Sequence, residues 1–166
     1  MHLLVATTGV LRPAPVVDLC DRLLGAEGVV TVMTVIEVPR TFLQTMDEEE
    51  RRSFLDDRGW ETDTAQMMAL GYLEERGRRV VEPIVAALRA SGRVPAVAFV
   101  EGYDPAEAIV SQARASGADL IVMGATKRLF GEEAWASVSA RVMERTLVPL
   151  VLIPGARAEE PADEAE

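Results

Sequence analysis

Few side chains in this sequence could carry out nucleophilic, acid–base or metal chemistry. A zinc site would have to combine the one cysteine, Cys20, with carboxylates, and none is expected. A Ser-His-Asp triad would have to use the one histidine, His2, at the start of the first apolar run, and none is expected there. Asp56 and Asp57 have no companions at a spacing that binds metal ions. We therefore predict no catalytic residue and no metal ligand, and the remaining candidates are hydroxyl and glycine residues that follow apolar runs.

Short apolar runs alternate with helical patterns along the chain. Runs typical of strands cover residues 3–7, 29–36, 94–100, 119–123 and 148–153. Pro13 and the pair Asp104-Pro105 mark two predicted helix starts, and Ser137 is predicted to cap the last helix. Pro83 interrupts a long helical pattern over residues 64–90, so we expect a kink or a restart there.

This alternation predicts an α/β fold, with a parallel sheet, helices on both faces and right-handed crossovers. Such sheets bind ligands beyond the carboxyl ends of their strands, where the strand order reverses. Thr7 and Thr8 end the first strand, and Gly124 follows the fourth. The loops after these two strands are therefore predicted to carry the function.

The charge and the apolar segments of the chain disfavour two kinds of partner. Asp and Glu number 27 against 17 Lys and Arg, a formal net charge of −10, which disfavours nucleic-acid binding. No segment approaches the roughly 20 apolar residues that a membrane span needs. Because Cys20 has no partner for an intrachain disulfide, a reducing compartment suits the chain, and we predict a cytoplasmic protein.

Residues 1–154 are predicted to form one domain, since 49% of the chain is hydrophobic and can supply a core. Within it, residues 39–63 lack a regular pattern and are predicted to be a variable, partly helical excursion. Residues 155–166 are acidic and cannot bury apolar surface, so they are predicted to be a disordered tail.

Three segments resemble the universal stress protein family. They are LLVATTGV near the start, EGYDPAEAIVSQARASGADLIVMG at residues 101–124, and the continuation through SVS to VPLVLIP at residue 154. The family's first strand usually ends in Asp-Gly-Ser, whereas Thr8 stands at the aspartate position here. The resemblance implies a single five-stranded, Rossmann-like sheet, similar to adenine nucleotide alpha-hydrolases, with strand order 3-2-1-4-5.

The resemblance also implies a nucleotide site, because many members of the family bind ATP through Gly-x2-Gly-x9-Gly-Ser/Thr after the fourth strand. Glycines let the backbone approach phosphates, and N–H groups at a helix N-terminus complement anionic oxygens. On this chain the adenosine end would be faced by Ala6, Thr7, Thr8 and Val35. The phosphates would be faced by Gly124, Thr126, Lys127, Ser137 and Ser139, and the predicted site is completed by Met123, Ala125 and Val138.

This chain keeps only part of that motif. Gly124 holds the first position, but Lys127 stands at the second glycine, and Ala136 precedes Ser137 in place of the last. The interval from Lys127 to Ala136 is one residue shorter than the family spacing. Lys127 could still supply a cation near phosphate, whereas Thr8 lacks the carboxylate that is usual at the adenosine end. Departures at both ends favour weak or absent ATP binding.

Two functions stay open. One is a regulatory or stress-response homodimer with weak or absent ATP binding. The other is a nucleotide-responsive switch that binds ATP with Mg²⁺ and hydrolyses it slowly at most. An enzyme is not expected, since the Ser-Gly-Gly-x-Asp-Ser loop of nucleotide alpha-hydrolases is absent after the first strand. Family members commonly pair their last strand across a two-fold axis, which implies a homodimer through residues 148–153, with Val148 and Ile153 at the ends.

Overall fold

The computed structural model describes residues 1–25, 27–37, 61–125 and 137–154. The strands in these ranges are β1 (His2–Ala6), β2 (Val29–Ile36), β3 (Ala96–Glu101), β4 (Leu120–Ala125) and β5 (Leu150–Pro154). The helices are α1 (Pro13–Leu23), α2 (Glu61–Ala90), α3 (Pro105–Ser116) and α4 (Val138–Arg145). Strands and helices thus alternate as the sequence predicts.

The five strands form one parallel sheet with the order β3-β2-β1-β4-β5. This confirms the predicted sheet and its strand order. Leu4 of the central strand lies opposite Thr31 of β2 and Ile121 of β4. From β1 the chain adds β2 and β3 on one side and then crosses to add β4 and β5 on the other side, so the strand order reverses between β1 and β4. Their carboxyl ends therefore flank the crevice where such sheets bind ligands.

Each face of the sheet has its own apolar layer, because successive residues of a strand point to opposite sides. Leu3 belongs to a buried cluster with Val16 of α1 and Ile84 of α2. Leu4 belongs to a second cluster with Ile109 of α3 and Val142 of α4. The two clusters confirm that helices cover both faces, and they assign α3 and α4 to the same face.

Helix α3 begins and ends where the sequence predicts. The Asp104 Oδ1 accepts hydrogen bonds from the N–H groups of Ala106 at 3.0 Å and Glu107 at 3.4 Å. Pro105 fills the first helical position, where no donor is needed. Gly117 ends the helix in the left-handed conformation, with φ 62°. These local signals fix the residues at which α3 begins and ends.

Helix α2 runs through Pro83. Of the predicted restart or kink, the restart is wrong, because one helix extends over Glu61–Ala90 with Pro83 inside it, and the kink stays a prediction. Pro83 is exposed, so the hydrogen bond that it cannot donate is missing on the solvent side. The opposite side of this helix buries Val81, Ile84 and Leu88, and their packing favours a continuous helix over a break.

The predicted excursion and tail fall largely outside the described residues. Helix α2 starts at Glu61, so residues 61–63 of the excursion are helical. Residues 39–60 and 155–166 lie outside the described ranges. The domain boundary at residue 154 stays a prediction.

The last strand begins later than predicted. We expected residues 148–153, but β5 covers Leu150–Pro154. The Val148 N–H donates to the Thr146 Oγ1 at 3.0 Å, and Pro149 has no N–H to give to a sheet. A turn therefore precedes Leu150. Among the described strands, β5 pairs only with β4, so its other side is an open edge.

Candidate functional site

A cavity of about 250 Å³ opens at the carboxyl ends of β1, β2 and β4. It lies in the crevice where the strand order reverses. The described residues that line it are Ala6, Thr7, Thr8, Val10, Leu11, Thr34, Val35, Pro105, Ile109, Met123, Gly124, Ala125, Ser137, Val138 and Ser139. The walls are mostly apolar, and side-chain polar atoms come from threonine and serine hydroxyls.

The predicted site residues that the structure describes all line this cavity. They are Ala6, Thr7, Thr8, Val35, Met123, Gly124, Ala125, Ser137, Val138 and Ser139. Thr126 and Lys127 lie outside the described residues. The structure thus brings together residues from the two halves of the chain, while the ligand that they would bind stays a prediction.

A turn after β1 shapes one rim of the cavity. The Thr7 N–H donates to the Met33 carbonyl at 3.0 Å, and the Thr7 Oγ1 accepts from the Gly9 N–H at 3.0 Å. Gly9 has φ 93°, a conformation that strains other residues. The turn ends the strand and leaves Thr8 exposed at the rim.

Two serines form the opposite wall, at the start of α4. The Ser137 Oγ accepts from the Ala140 N–H at 3.2 Å, which confirms the predicted cap. The Ser137 and Ser139 Oγ atoms lie 3.1 Å apart, and Ser139 is only 3% exposed. Two hydroxyls beside helix N–H groups are suited to hydrogen bonding with an anionic group.

Gly124 lies at the end of β4, between these walls. Its φ lies outside the left-handed region, so the backbone would accept other residues. A Cβ here would meet the Leu11 Cδ1 at 3.9 Å, an ordinary van der Waals contact. A longer side chain would extend into the cavity. The glycine therefore matters for the space that it leaves open.

Several cavity residues were not predicted as part of the site. They are Val10, Leu11, Thr34, Pro105 and Ile109. Pro105 and Ile109 are four residues apart and so lie on one side of α3. This spacing can be read from the sequence and would have placed both residues on the same surface. Leu11 is 4% exposed although it follows a turn, and burial of a loop residue has no periodic signal.

A cluster of charged side chains joins α3 to α4 beside the cavity. The Asp104 carboxylate accepts from the guanidinium of Arg141 at 2.6 Å and from that of Arg145 at 2.8 Å. The hydrogen bond from Arg145 is the largest cause that lowers the pKa of Asp104, and it also raises the pKa of Arg145. The cluster holds the start of α3 against α4, and both helices supply cavity walls.

We expect Asp104→Asn to destabilise the protein at neutral pH. Asparagine keeps an oxygen for the helix cap but lacks the charge that pairs with Arg141 and Arg145. Because the folded-state pKa of Asp104 lies below the ordinary 3.8, its stabilising effect is complete above that value. The effect is lost as the pH falls through the folded-state pKa. Thermal midpoints measured from pH 7 to pH 2.5 should therefore converge for the two proteins, and a constant difference would contradict this account.

His2 and Cys20 lie away from the cavity. The His2 Nδ1 is 3.0 Å from the Ser116 carbonyl oxygen and its Nε2 is 2.8 Å from the Thr31 Oγ1, near the amino ends of the strands. Cys20 is fully buried in the core, and burial raises the pKa of its thiol. Within the described ranges, no three His, Cys, Asp or Glu side chains are grouped so that they could hold a metal ion.

The sequence profile of the universal stress protein family matches residues 1–154. The chain belongs to this family. The match includes the strands and helices that build the cavity from both halves of the chain. No curated protein sequence gives a significant match.

Solved structures share the fold of this universal stress protein. A family member from Burkholderia pseudomallei is 23% identical, with a TM-score of 0.54 over 93% of this chain and 96% of its own. An Arabidopsis thaliana member with AMP bound is 14% identical, with a TM-score of 0.56 over 98% and 97%. An Archaeoglobus fulgidus member in complex with dAMP is 19% identical, with a TM-score of 0.55 over 92% and 97%.

Two departures from the family's glycine motif, at Lys127 and Ala136, lie outside the described residues, so their effect on nucleotide binding stays a prediction. In the part of the chain that is described, no helix is both long and apolar enough to cross a membrane.

Proposed function

We propose that this universal stress protein binds an adenine nucleotide in the cavity between β1 and β4 and acts as a nucleotide-responsive regulatory protein. The observation that carries the proposal is that three structural features line one cavity. These are an open backbone at Gly124, the hydroxyl pair Ser137 and Ser139 at a helix start, and an apolar wall that includes Val35 and Ile109.

The two ends of the cavity suit the two ends of a nucleotide. Val35 and Ile109 provide apolar contact for a base or a sugar. The Ser137–Ser139 pair keeps one O–H to donate to a phosphate oxygen, since the other lies between the two Oγ atoms, and the N-terminus of α4 adds a favourable field. Structural relatives with AMP and dAMP bound give independent support for this class of ligand.

The polar side chains of the cavity suit a binding role. Among the described residues that line it, they are threonines and serines, which donate and accept hydrogen bonds. Nucleotide binding would favour one arrangement of the cavity walls and so alter a surface that a partner recognises.

Isothermal titration calorimetry with ATP and Mg²⁺, and separately with AMP, tests the proposal. We expect saturable binding of at least one of them, accompanied by a rise in the thermal midpoint. The pyrimidine nucleotide CTP serves as the control for non-specific binding of phosphates. No heat and no thermal shift at millimolar ATP or AMP would leave the alternative of a regulatory protein without nucleotide.

We also propose a homodimer through the open edge of β5. Leu150, Val151 and Leu152 are only partly buried there, and an exposed apolar edge is a liability unless it is covered. On the preceding helix and turn, Met143 is 53% exposed and Leu147 is 99% exposed, which adds apolar surface that a second copy could bury.

Light scattering at micromolar concentration tests the dimer. We expect a mass about twice the 18.0 kDa of the chain. Dilution should separate a genuine equilibrium from aggregation, since a dimer dissociates to one defined smaller species. A mass of 18.0 kDa throughout the micromolar range would contradict the proposal.

A further inference from the structure

A second cavity, of about 510 Å³, lies beside the first at the same edge of the sheet. The two cavities share Thr8, Thr34 and Val35 in their walls, so they meet at the ends of β1 and β2. The second is also lined by Glu37, directly after β2, and by Arg76 of α2. It therefore extends the proposed nucleotide site toward the face of the sheet that α2 covers.

The chemistry of the second cavity differs from that of the first. It places a carboxylate, a guanidinium and two threonine hydroxyls around one space. The carboxylate of Glu37 disfavours phosphate by charge repulsion. The edge of a base is a better match, since a carboxylate accepts from N–H groups and a guanidinium donates to ring nitrogens. The base end of a nucleotide would thus face this cavity, and its phosphates would face Ser137.

On the basis of the proposed function, we propose that Glu37 and Arg76 determine which base the site accepts. Glu37 accepts a hydrogen bond from the exocyclic amino group of adenine, and Arg76 donates to the adjacent N7, which is an acceptor in adenine and in hypoxanthine alike. A 6-oxo purine presents an acceptor in place of the amino group, and so turns a lone pair toward the Glu37 carboxylate. The site therefore prefers adenine nucleotides to their hypoxanthine counterparts.

Titrations of ATP and inosine triphosphate test this inference on the wild type and on three variants. Glu37→Gln offers an amide that can donate to a 6-oxo group as well as accept from an amine. Arg76→Gln removes the guanidinium of the second cavity. Arg78→Gln is the matched control, because Arg78 lies on the same helix and its side chain is 67% exposed in an ion pair with Glu74.

We expect the wild type to bind ATP about tenfold more tightly than inosine triphosphate, the ratio that one mismatched hydrogen bond produces. Glu37→Gln should bring this ratio close to one. Arg76→Gln should weaken the binding of both nucleotides, and Arg78→Gln should change neither. Thermal midpoints of the unliganded proteins verify that each variant is folded.

The outcomes separate the two proposals. Unchanged affinities and an unchanged ratio in both Glu37→Gln and Arg76→Gln would overturn the role of these residues and leave nucleotide binding intact. A wild type that binds ATP and inosine triphosphate equally would also overturn it. If the wild type binds neither ATP nor AMP, the proposed function fails, and the base selection fails with it.

Discussion

Gly124→Val should weaken nucleotide binding by about tenfold or more while the protein remains folded. Among the described residues, the nearest neighbour of the added Cβ is the Leu11 Cδ1 at 3.9 Å, an ordinary contact, and we expect the two methyl groups beyond it to occupy cavity space. Valine is also favoured in strands, and Gly124 belongs to β4. Calorimetry with whichever of ATP and AMP the wild type binds measures the loss.

Gly124→Ala is the matched control for this prediction. It adds only the Cβ, so binding should stay within a fewfold of the wild type, and the thermal midpoints of both variants should equal or exceed that of the wild type. If valine leaves the affinity unchanged, the ligand does not lie against the end of β4. If both variants unfold, the cavity next to Gly124 is smaller than the distance to Leu11 indicates.

Much of the fold was predictable because its signals are local. The β-branched run at residues 29–36 has the same bounds as β2, and Asp104, Pro105 and Gly117 mark α3 through caps that act within one turn. At Pro83 the predicted helix restart is wrong, although a proline is a local helix breaker. The continuity of α2 there depends on packing against the sheet, which the sequence pattern does not contain.

The residues of the candidate site were predictable where they match positions of the family motif. They were less predictable where packing of distant elements brings them into the cavity. Thr7, Gly124 and Ser137 were placed through their match to the family motif, and all three line the cavity. Leu11 and Glu37 were not singled out. Each becomes a cavity wall only because distant elements, β4 in one case and α2 in the other, are packed beside it.

The pairing of Asp104 with two arginines shows the same limit. Its role as a helix cap was visible in the sequence, because capping involves neighbours within three residues. Its ion pairs with Arg141 and Arg145 join residues 37 and 41 positions away. Such ion pairs form because α3 and α4 pack on the same face of the sheet, so they could be found only from the structure.

Gly77→Ala should destabilise the protein, although alanine is the better helix former. Gly77 lies inside α2, where alanine alone would add about 1 kcal/mol to the stability. A Cβ at this position would come 2.7 Å from the Cγ of Phe99 and closer still to the ring edge. Phe99 of β3 packs against the buried cluster that contains Leu3 and Ile84, so its ring cannot move without losing packing. We expect a net loss of about 1–3 kcal/mol in the free energy of unfolding in urea.

Two further variants decide whether Phe99 is the cause. Gly71→Ala lies in the same helix, and no other side chain of the described residues comes within 4 Å of the added Cβ, so it should raise the stability by up to about 1 kcal/mol. In a Phe99→Leu background, Gly77→Ala should lose most of its cost, because the smaller side chain leaves room for the methyl group. If Gly77→Ala stabilised the wild type as much as Gly71→Ala, the close packing of α2 on β3 would be wrong, and with it the position of the helix that carries Arg76.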